Sequence, residues 1–165
     1  MIRVMQSRIN SMALIHNHFY QSDNVSSIDM GNYIHALGIH LLVLYRIESK
    51  KIDIEYDVKN IKMDINKAIP FGLIANELIS NCFKHAFPDD FLKGKPEKYV
   101  PTISIDLKRE ESGPIHLRIS DNGVGYSENQ GLGLVLVNDL VGQIDGTLER
   151  KTDQGTLYEI CFSSD

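Results

Sequence analysis

The sequence predicts an α/β (α+β) two-layer sandwich: a mixed, mostly antiparallel sheet with helices on one face, preceded by an N-terminal helix. Three observations predict it. Thr102-Ile103-Ser104-Ile105-Asp106-Leu107 and Ile115-His116-Leu117-Arg118-Ile119 alternate apolar and polar residues, the pattern of half-buried strands. Met30, Tyr33, Ile34, Leu37, Leu41 and Leu44, and later Leu73, Ile74, Leu78 and Ile79, recur at helical spacing. The later strands are joined by short turns, which favours antiparallel pairing with the helices gathered on one side.

A chain of 165 residues is long enough for one well-buried domain. With 42% apolar and 24% charged residues its composition is that of a soluble globular protein. A net charge of −5 argues against broad binding to nucleic acid or to an anionic membrane, both of which need a basic face. Any phosphate site must therefore be local and built partly from backbone amides. No apolar run reaches the roughly 20 residues of a membrane helix, so direct membrane contact is not expected, and no signal peptide is visible. Cys82 and Cys161 lie in apolar runs and read as free thiols, which fits a cytoplasmic location.

Residues 1–20 read as a helix. Ile2, Met5, Ile9, Met12, His16 and Phe19 form a narrow heptad seam, suited to a partner helix or to packing on the chain's own domain. Residues 21–29 are polar and turn-rich, a linker. A second helix covers 30–46. Ile52-Asp53-Ile54-Glu55-Tyr56-Asp57 reads as a strand. A long helix then runs from Asn66 to Phe87, with Pro70 in its first turn and Pro88 ending it. Residues 88–101 read as a surface loop. Strands follow at 102–109 and 115–121, and a helix at 131–143. The end, Thr147-Leu148-Glu149-Arg150 and Thr156 to Phe162, reads as an antiparallel pair turned at Asp153-Gln154-Gly155.

Two segments carry chemistry. On the long helix Glu77, Asn81 and Lys84 stand at i, i+4 and i+7, on nearly one line, with His85 at its edge. A carboxylate, an amide oxygen and a cation in one row suit a metal triphosphate: the amide is a hard ligand for Mg²⁺ and the carboxylate can orient or deprotonate a nucleophile. Taken alone, the row is equally compatible with a solvated helix face. Asp121-Asn122-Gly123-Val124-Gly125 ends a strand in a carboxylate able to accept from an exocyclic amine. Its glycines let backbone approach a flat ring or a phosphate. Taken alone, that is a hairpin turn. Gly131-Leu132-Gly133-Leu134 opens a helix whose first amides favour anions. Gly155-Thr156 is mostly turn punctuation.

Taken in order, Asn76-Glu77 to Lys84-His85, Asp121 to Gly125, Gly131 to Leu134 and Gly155-Thr156 resemble the boxes of the ATP-binding domain of sensor histidine kinases, the Bergerat (GHKL) fold shared with gyrase, Hsp90 and MutL ATPases. Arg8-Ile9-Asn10-Ser11-Met12-Ala13-Leu14-Ile15-His16-Asn17-His18-Phe19-Tyr20 is similar to the end of the second dimerisation helix in the subfamily grouped with the HWE kinases. Pro70-Phe71-Gly72-Leu73-Ile74 and His85-Ala86-Phe87-Pro88 agree. The resemblance implies ATP and Mg²⁺ as cofactors. It implies Asn81 as the magnesium ligand, Glu77 as the catalytic residue near the γ-phosphate, and Lys84 and His85 on phosphates. Asp121 would bind the adenine amine with Thr156 in support, Gly123 and Gly125 would shape the pocket, and Gly131, Gly133 and Leu134 would bound the phosphate-covering lid.

It also implies a division into 1–20 as the end of a dimerisation helix, 21–29 as linker and 30–165 as the ATP-binding domain. The partners it implies are a phosphoacceptor histidine domain of the same protein, a response regulator, and a second copy through the N-terminal helix. The phosphoacceptor box, a His followed by Arg and Lys-Asn, is absent, so the chain reads as the C-terminal part of a larger kinase. The lid between the glycine boxes, Tyr126 to Gln130, is short for the family. The alternatives are a serine kinase of the anti-sigma type, which shares the fold and size, and a degenerate nucleotide-binding module.

Overall fold

The computed structural model describes residues 9–15, 27–45, 52–111, 113–126, 132–152 and 154–163. Residues 9–15 are helical (α1). The chain continues through β1 (Ile28–Asp29), α2 (Met30–Tyr45), β2 (Asp53–Val58), β3 (Lys62–Met63), α3 (Ile65–Asn81), a π turn (Cys82–Ala86) and α4 (Asp89–Lys93). Then come β4 (Thr102–Arg109), β5 (Ile115–Asp121), α5 (Leu132–Gln143), β6 (Thr147–Thr152) and β7 (Thr156–Phe162).

The main sheet has the order β2-β4-β5-β7-β6. β2 runs parallel to β4 and every other neighbouring pair is antiparallel, so the sheet is mixed and mostly antiparallel, as expected. Alternation sets its faces. Ile103, Ile105 and Leu107, Ile115, Leu117 and Ile119, and Tyr158, Ile160 and Phe162 are all buried under the helices. Fully burying one such aliphatic side chain contributes about 1.5–3 kcal/mol before entropy is subtracted. Ser104, Asp106, Arg118 and Glu159 fill the other face, where Arg118 pairs with Glu159 at 3.6 Å.

Several elements differ from the sequence expectation. The turn-rich stretch over 21–29 ends in a strand: Ile28 and Asp29 pair with Met63 and Lys62 of β3, a two-residue ladder too short to show a period. Residues 21–26 lie outside the described residues. α3 begins at Ile65 because Asp64 caps it, its Oδ1 accepting from Asn66 N at 2.8 Å and Lys67 N at 3.4 Å. Pro70 is therefore the sixth helical residue, past the first turn, and the helix continues through it. The α-helix stops at Asn81 and a π turn carries the chain on to Ala86, where one continuous helix to Phe87 was expected. Within the expected surface loop, Asp89–Lys93 form α4, whose Phe91 meets the Tyr99 ring edge-on at 5.9 Å.

The N-terminal helix packs on this domain with one side only. Ser11 and Ile15 are buried; Ser11 Oγ and Tyr33 Oη share a hydrogen bond at 2.5 Å, and each oxygen lies 3.3 Å from the Gly72 carbonyl oxygen, which accepts from the hydroxyl whose proton is free. Ile9 and Met12 of the expected seam are 64% and 48% exposed. The remaining seam residues, Ile2, Met5, His16 and Phe19, lie outside the described residues. Both cysteines are free, Cys82 buried and Cys161 half-buried. Among the described residues no helix is long and apolar enough to cross a membrane.

Candidate functional site

Strand β5 delivers Asp121 to the end of the sheet, where the chain must turn sharply. Burial raises the Asp121 pKa above the ordinary carboxylate value, and the amides that bond it act in the opposite sense. Its Oδ1 accepts from Gly123 N at 2.9 Å and from Thr156 N at 3.2 Å. Gly125 takes φ +80 and Gly155 φ +133, both disfavoured for residues with a Cβ. A Cβ on Gly155 would strike the Asp121 carbonyl oxygen, and one on Gly123 would strike the Ala86 carbonyl. These close approaches explain the glycines. They let Thr156 reach Asp121 and let the turn lie on the π turn, where Val124 N donates to Ala86 O at 2.9 Å. Asn122 ties the loop down from behind: its Oδ1 accepts from Thr102 N at 2.8 Å and its Nδ2 donates to Val100 O at 2.9 Å.

Above Asp121 opens a cavity of about 430 Å³, within the usual range for a small-molecule or cofactor site. Asn81, Cys82, His85 and Ala86 line it from the end of α3 and the π turn, and Gly133 and Leu134 from the start of α5. Val124, Gly125 and Tyr126 line it from the turn after β5, and Arg150, Thr156 and Tyr158 from the last two strands. Glu77 lies one helical turn before Asn81 and is 2% exposed. A Cβ on Gly133 would come 2.8 Å from its Oε2, so α5 starts directly against this carboxylate.

Seven residues singled out in the sequence thus converge on one cavity: Asn81, His85, Asp121, Gly125, Gly133, Leu134 and Thr156. Glu77 and Gly123 support its walls. Gly131 lies outside the described residues. Lys84 is placed differently from the expected row: its Nζ lies 5.5 Å from the centroid of the Tyr45 ring and outside the cavity lining. The π turn is the physical reason. Spacing of i+7 aligns Lys84 with Glu77 only in a regular α-helix; the wider turn over Cys82–Ala86 changes the phase, so His85 lines the cavity instead. Burial, then the adjacent Lys84 charge, lowers the His85 pKa, leaving its ring neutral near pH 7.

Sequence reasoning missed Cys82, Tyr126, Arg150 and Tyr158. The last two were accessible from strand parity: Arg150 stands two residues after the half-buried Leu148 and opposite Tyr158 in the β6–β7 register. The Arg150 guanidinium lies 3.6 Å from the Tyr126 ring centroid. Burial chiefly pushes the Tyr158 hydroxyl up to about 12, and burial followed by the Asp121 charge pushes the Cys82 thiol well up, so both stay protonated at neutral pH.

Among the described residues no group of three or more His, Cys, Asp or Glu is placed to hold a metal ion. A divalent cation here would take the Asn81 amide oxygen and draw its other ligands from phosphate oxygens and water. That set suits Mg²⁺, which prefers hard oxygens and keeps several waters.

Residues 66–165 match the family described as histidine kinase-, DNA gyrase B-, and HSP90-like ATPase, and residues 1–45 match a histidine kinase family. No curated protein matches the chain in sequence. Among solved structures, the kinase domain of the Erythrobacter litoralis EL346 blue-light activated histidine kinase superposes with a TM-score of 0.82 at 16% identity, over 98% of this chain and 75% of that one. A longer chain of the same kinase gives 0.80 at 16% identity, over 96% of this chain and 53% of that one. The Acinetobacter baumannii histidine kinase AdeS gives 0.64 at 16% identity, over 96% and 76%. At these identities the likeness is one of fold.

Proposed function

The chain belongs to the histidine kinase-, DNA gyrase B- and HSP90-like ATPase family, and its first 45 residues match a histidine kinase family; on that premise we propose that it binds magnesium-ATP above Asp121 and passes the γ-phosphoryl to a histidine on a phosphoacceptor domain of the same protein. The observation that carries this reading is Asp121 itself. A buried carboxylate, fixed by two backbone amides at the floor of a cavity of about 430 Å³, is an acceptor held ready for an exocyclic amine such as that of adenine.

The other roles follow from position. Thr156, next to Asp121 on β7, supports the base, and Gly123 and Gly125 leave room for its ring. Asn81 and His85 line the cavity from α3 and the π turn, and phosphates would lie between them and the first turn of α5 at Gly133 and Leu134. His85 can donate a hydrogen bond to phosphate, and Lys84 reaches phosphate only by leaving the Tyr45 ring. Glu77 stands behind Gly133 as the carboxylate that orients or accepts a proton from the attacking imidazole. Magnesium, when bound through Asn81, would neutralise phosphate charge.

Residues 30–165 then form the ATP-binding domain, 21–29 the connection, and 1–20 the end of a dimerisation helix. Exposed Ile9 and Met12 leave that helix an apolar side for a second copy. A response regulator would receive the phosphoryl group, in the cytoplasm. The test is titration with a fluorescent ATP analogue in the presence of Mg²⁺, with ATP and ADP as competitors. Saturable, competable binding is expected; no competable signal at millimolar nucleotide rejects the proposal.

A further inference from the structure

The geometry points to Arg150 as a phosphate-reading residue of the nucleotide cavity, held on the Tyr126 ring until a polyphosphate draws it off; this rests on the nucleotide reading above. Charge is the starting point. A nucleoside di- or triphosphate must enter a cavity that holds the Asp121 carboxylate and backs on Glu77, so a compensating cation is needed close by. The expected cation, Lys84, lies over the Tyr45 ring and outside the lining, and His85 is neutral. Among the described residues lining the cavity, Arg150 is the one Lys or Arg.

Its setting leaves that charge available. Arg150 is half-buried on β6, on the helix side of the sheet, opposite Tyr158. Among the described residues it joins no ion pair. What holds it is the face of Tyr126, with the guanidinium carbon 3.6 Å from the ring centroid. A cation–π stack orients the planar fork without neutralising it, and every N–H around its edge can still be donated to oxygen. Tyr126 follows directly on Gly125, and Thr152, the next inward position on β6, is the residue a Cβ on Gly125 would touch. The stack therefore stands at the cavity wall beside the base-binding turn, and a fork that tilts off the ring can meet phosphate oxygens bidentately.

The experiment measures equilibrium binding of adenosine, ADP and ATP to the chain and to Arg150→Met, Arg150→Gln and Arg150→Lys, with thermal unfolding of each unliganded chain as a folding control. Loss of a charge-assisted contact predicts about tenfold weaker binding of ADP and ATP to the Met and Gln variants. Adenosine affinity should not change. Arg150→Lys, which keeps the charge but not the fork, should recover part of the preference for ATP over adenosine. Unchanged ATP and ADP affinities would overturn the proposal, as would equal losses for adenosine and ATP, which would make Arg150 a base-binding or structural residue. Reading the ratio on two neutral variants keeps the test alive if one fails to fold. A wild-type chain that binds none of the three ligands rejects the nucleotide reading itself, an outcome separate from wild-type binding with no effect of the variants.

Discussion

Asp121 Oδ1 accepts the backbone N–H of Thr156 at 3.2 Å, across 35 residues of sequence. This contact adds a side-chain tie to the backbone pairing of the end of β5 with the start of β7, and it depends on Gly155 having no side chain.

Asp121→Asn should therefore separate folding from recognition. The amide oxygen can still accept from Gly123 and Thr156, so the unliganded chain should fold. An NH₂ group would now face part of the cavity, and a mismatched buried hydrogen bond costs about 1–3 kcal/mol. ATP binding should weaken accordingly and the preference for ATP over GTP should disappear. An ATP/GTP affinity ratio equal to wild type removes Asp121 from the base-binding role.

The same variant makes a pH prediction. The folded-state pKa of Asp121 is raised by burial, so the folded chain favours the protonated form and ionisation works against the fold. Below the unfolded carboxylate value, about 4, both states are protonated and no difference arises. As pH rises from there through the raised folded value, wild type loses stability relative to Asp121→Asn. Unfolding midpoints of the two unliganded chains from pH 3.5 to 8 should diverge in that direction; divergence in the opposite direction would contradict a raised pKa. Acidification should likewise weaken ATP binding, because a protonated acceptor cannot serve the amine as well.

Gly155→Ala should damage fold and site together. At φ +133 an alanine is strained, and its Cβ would meet the Asp121 carbonyl. A loss of more than about 1 kcal/mol in urea unfolding is expected, with weaker nucleotide binding because Thr156 can no longer approach. Wild-type values of both would show that the β6–β7 turn relaxes freely.

Glu77→Gln should retain ATP affinity and lose phosphotransfer in the full-length kinase, since Glu77 stands against Gly133 and away from Asp121. Transfer at the wild-type rate would exclude it as a required base.

The chain alone should not become stably phosphorylated on histidine. In-line transfer requires the acceptor within about 3–3.5 Å. Of the described histidines, His85 lines the cavity in the place of a phosphate-binding residue, and the other three lie outside its lining. His35 packs on Tyr56 with ring centroids 4.2 Å apart, His40 contacts Asn10 at 3.3 Å, and His116 lies 3.3 Å from Glu110. His16 and His18 lie outside the described residues. Acid-labile, alkali-stable label from γ-labelled ATP that disappears in His16→Gln would show the chain to be self-sufficient.

The sequence by itself determined what short-range rules govern. Alternation in 102–109 and 115–121 placed the strands and their buried faces, because side-chain direction on a strand has a period of two. The order of the motifs around Glu77, Asn81, Asp121, Gly133 and Thr156 carried the resemblance to the ATP-binding domain of histidine kinases, and the family match over residues 66–165 agrees with it. Tertiary structure decided the rest. The π turn that moves Lys84 off the expected row and brings His85 to the cavity is invisible to a 3.6-residue period. The glycines acquired reasons only when Gly155 met Asp121 and Gly123 met Ala86, contacts between segments far apart in the chain. Arg150 entered the site through the pairing of β6 with β7 and the ring of Tyr126, because which inward-facing side chain reaches a cavity is fixed by register and packing, not by the strand's own pattern.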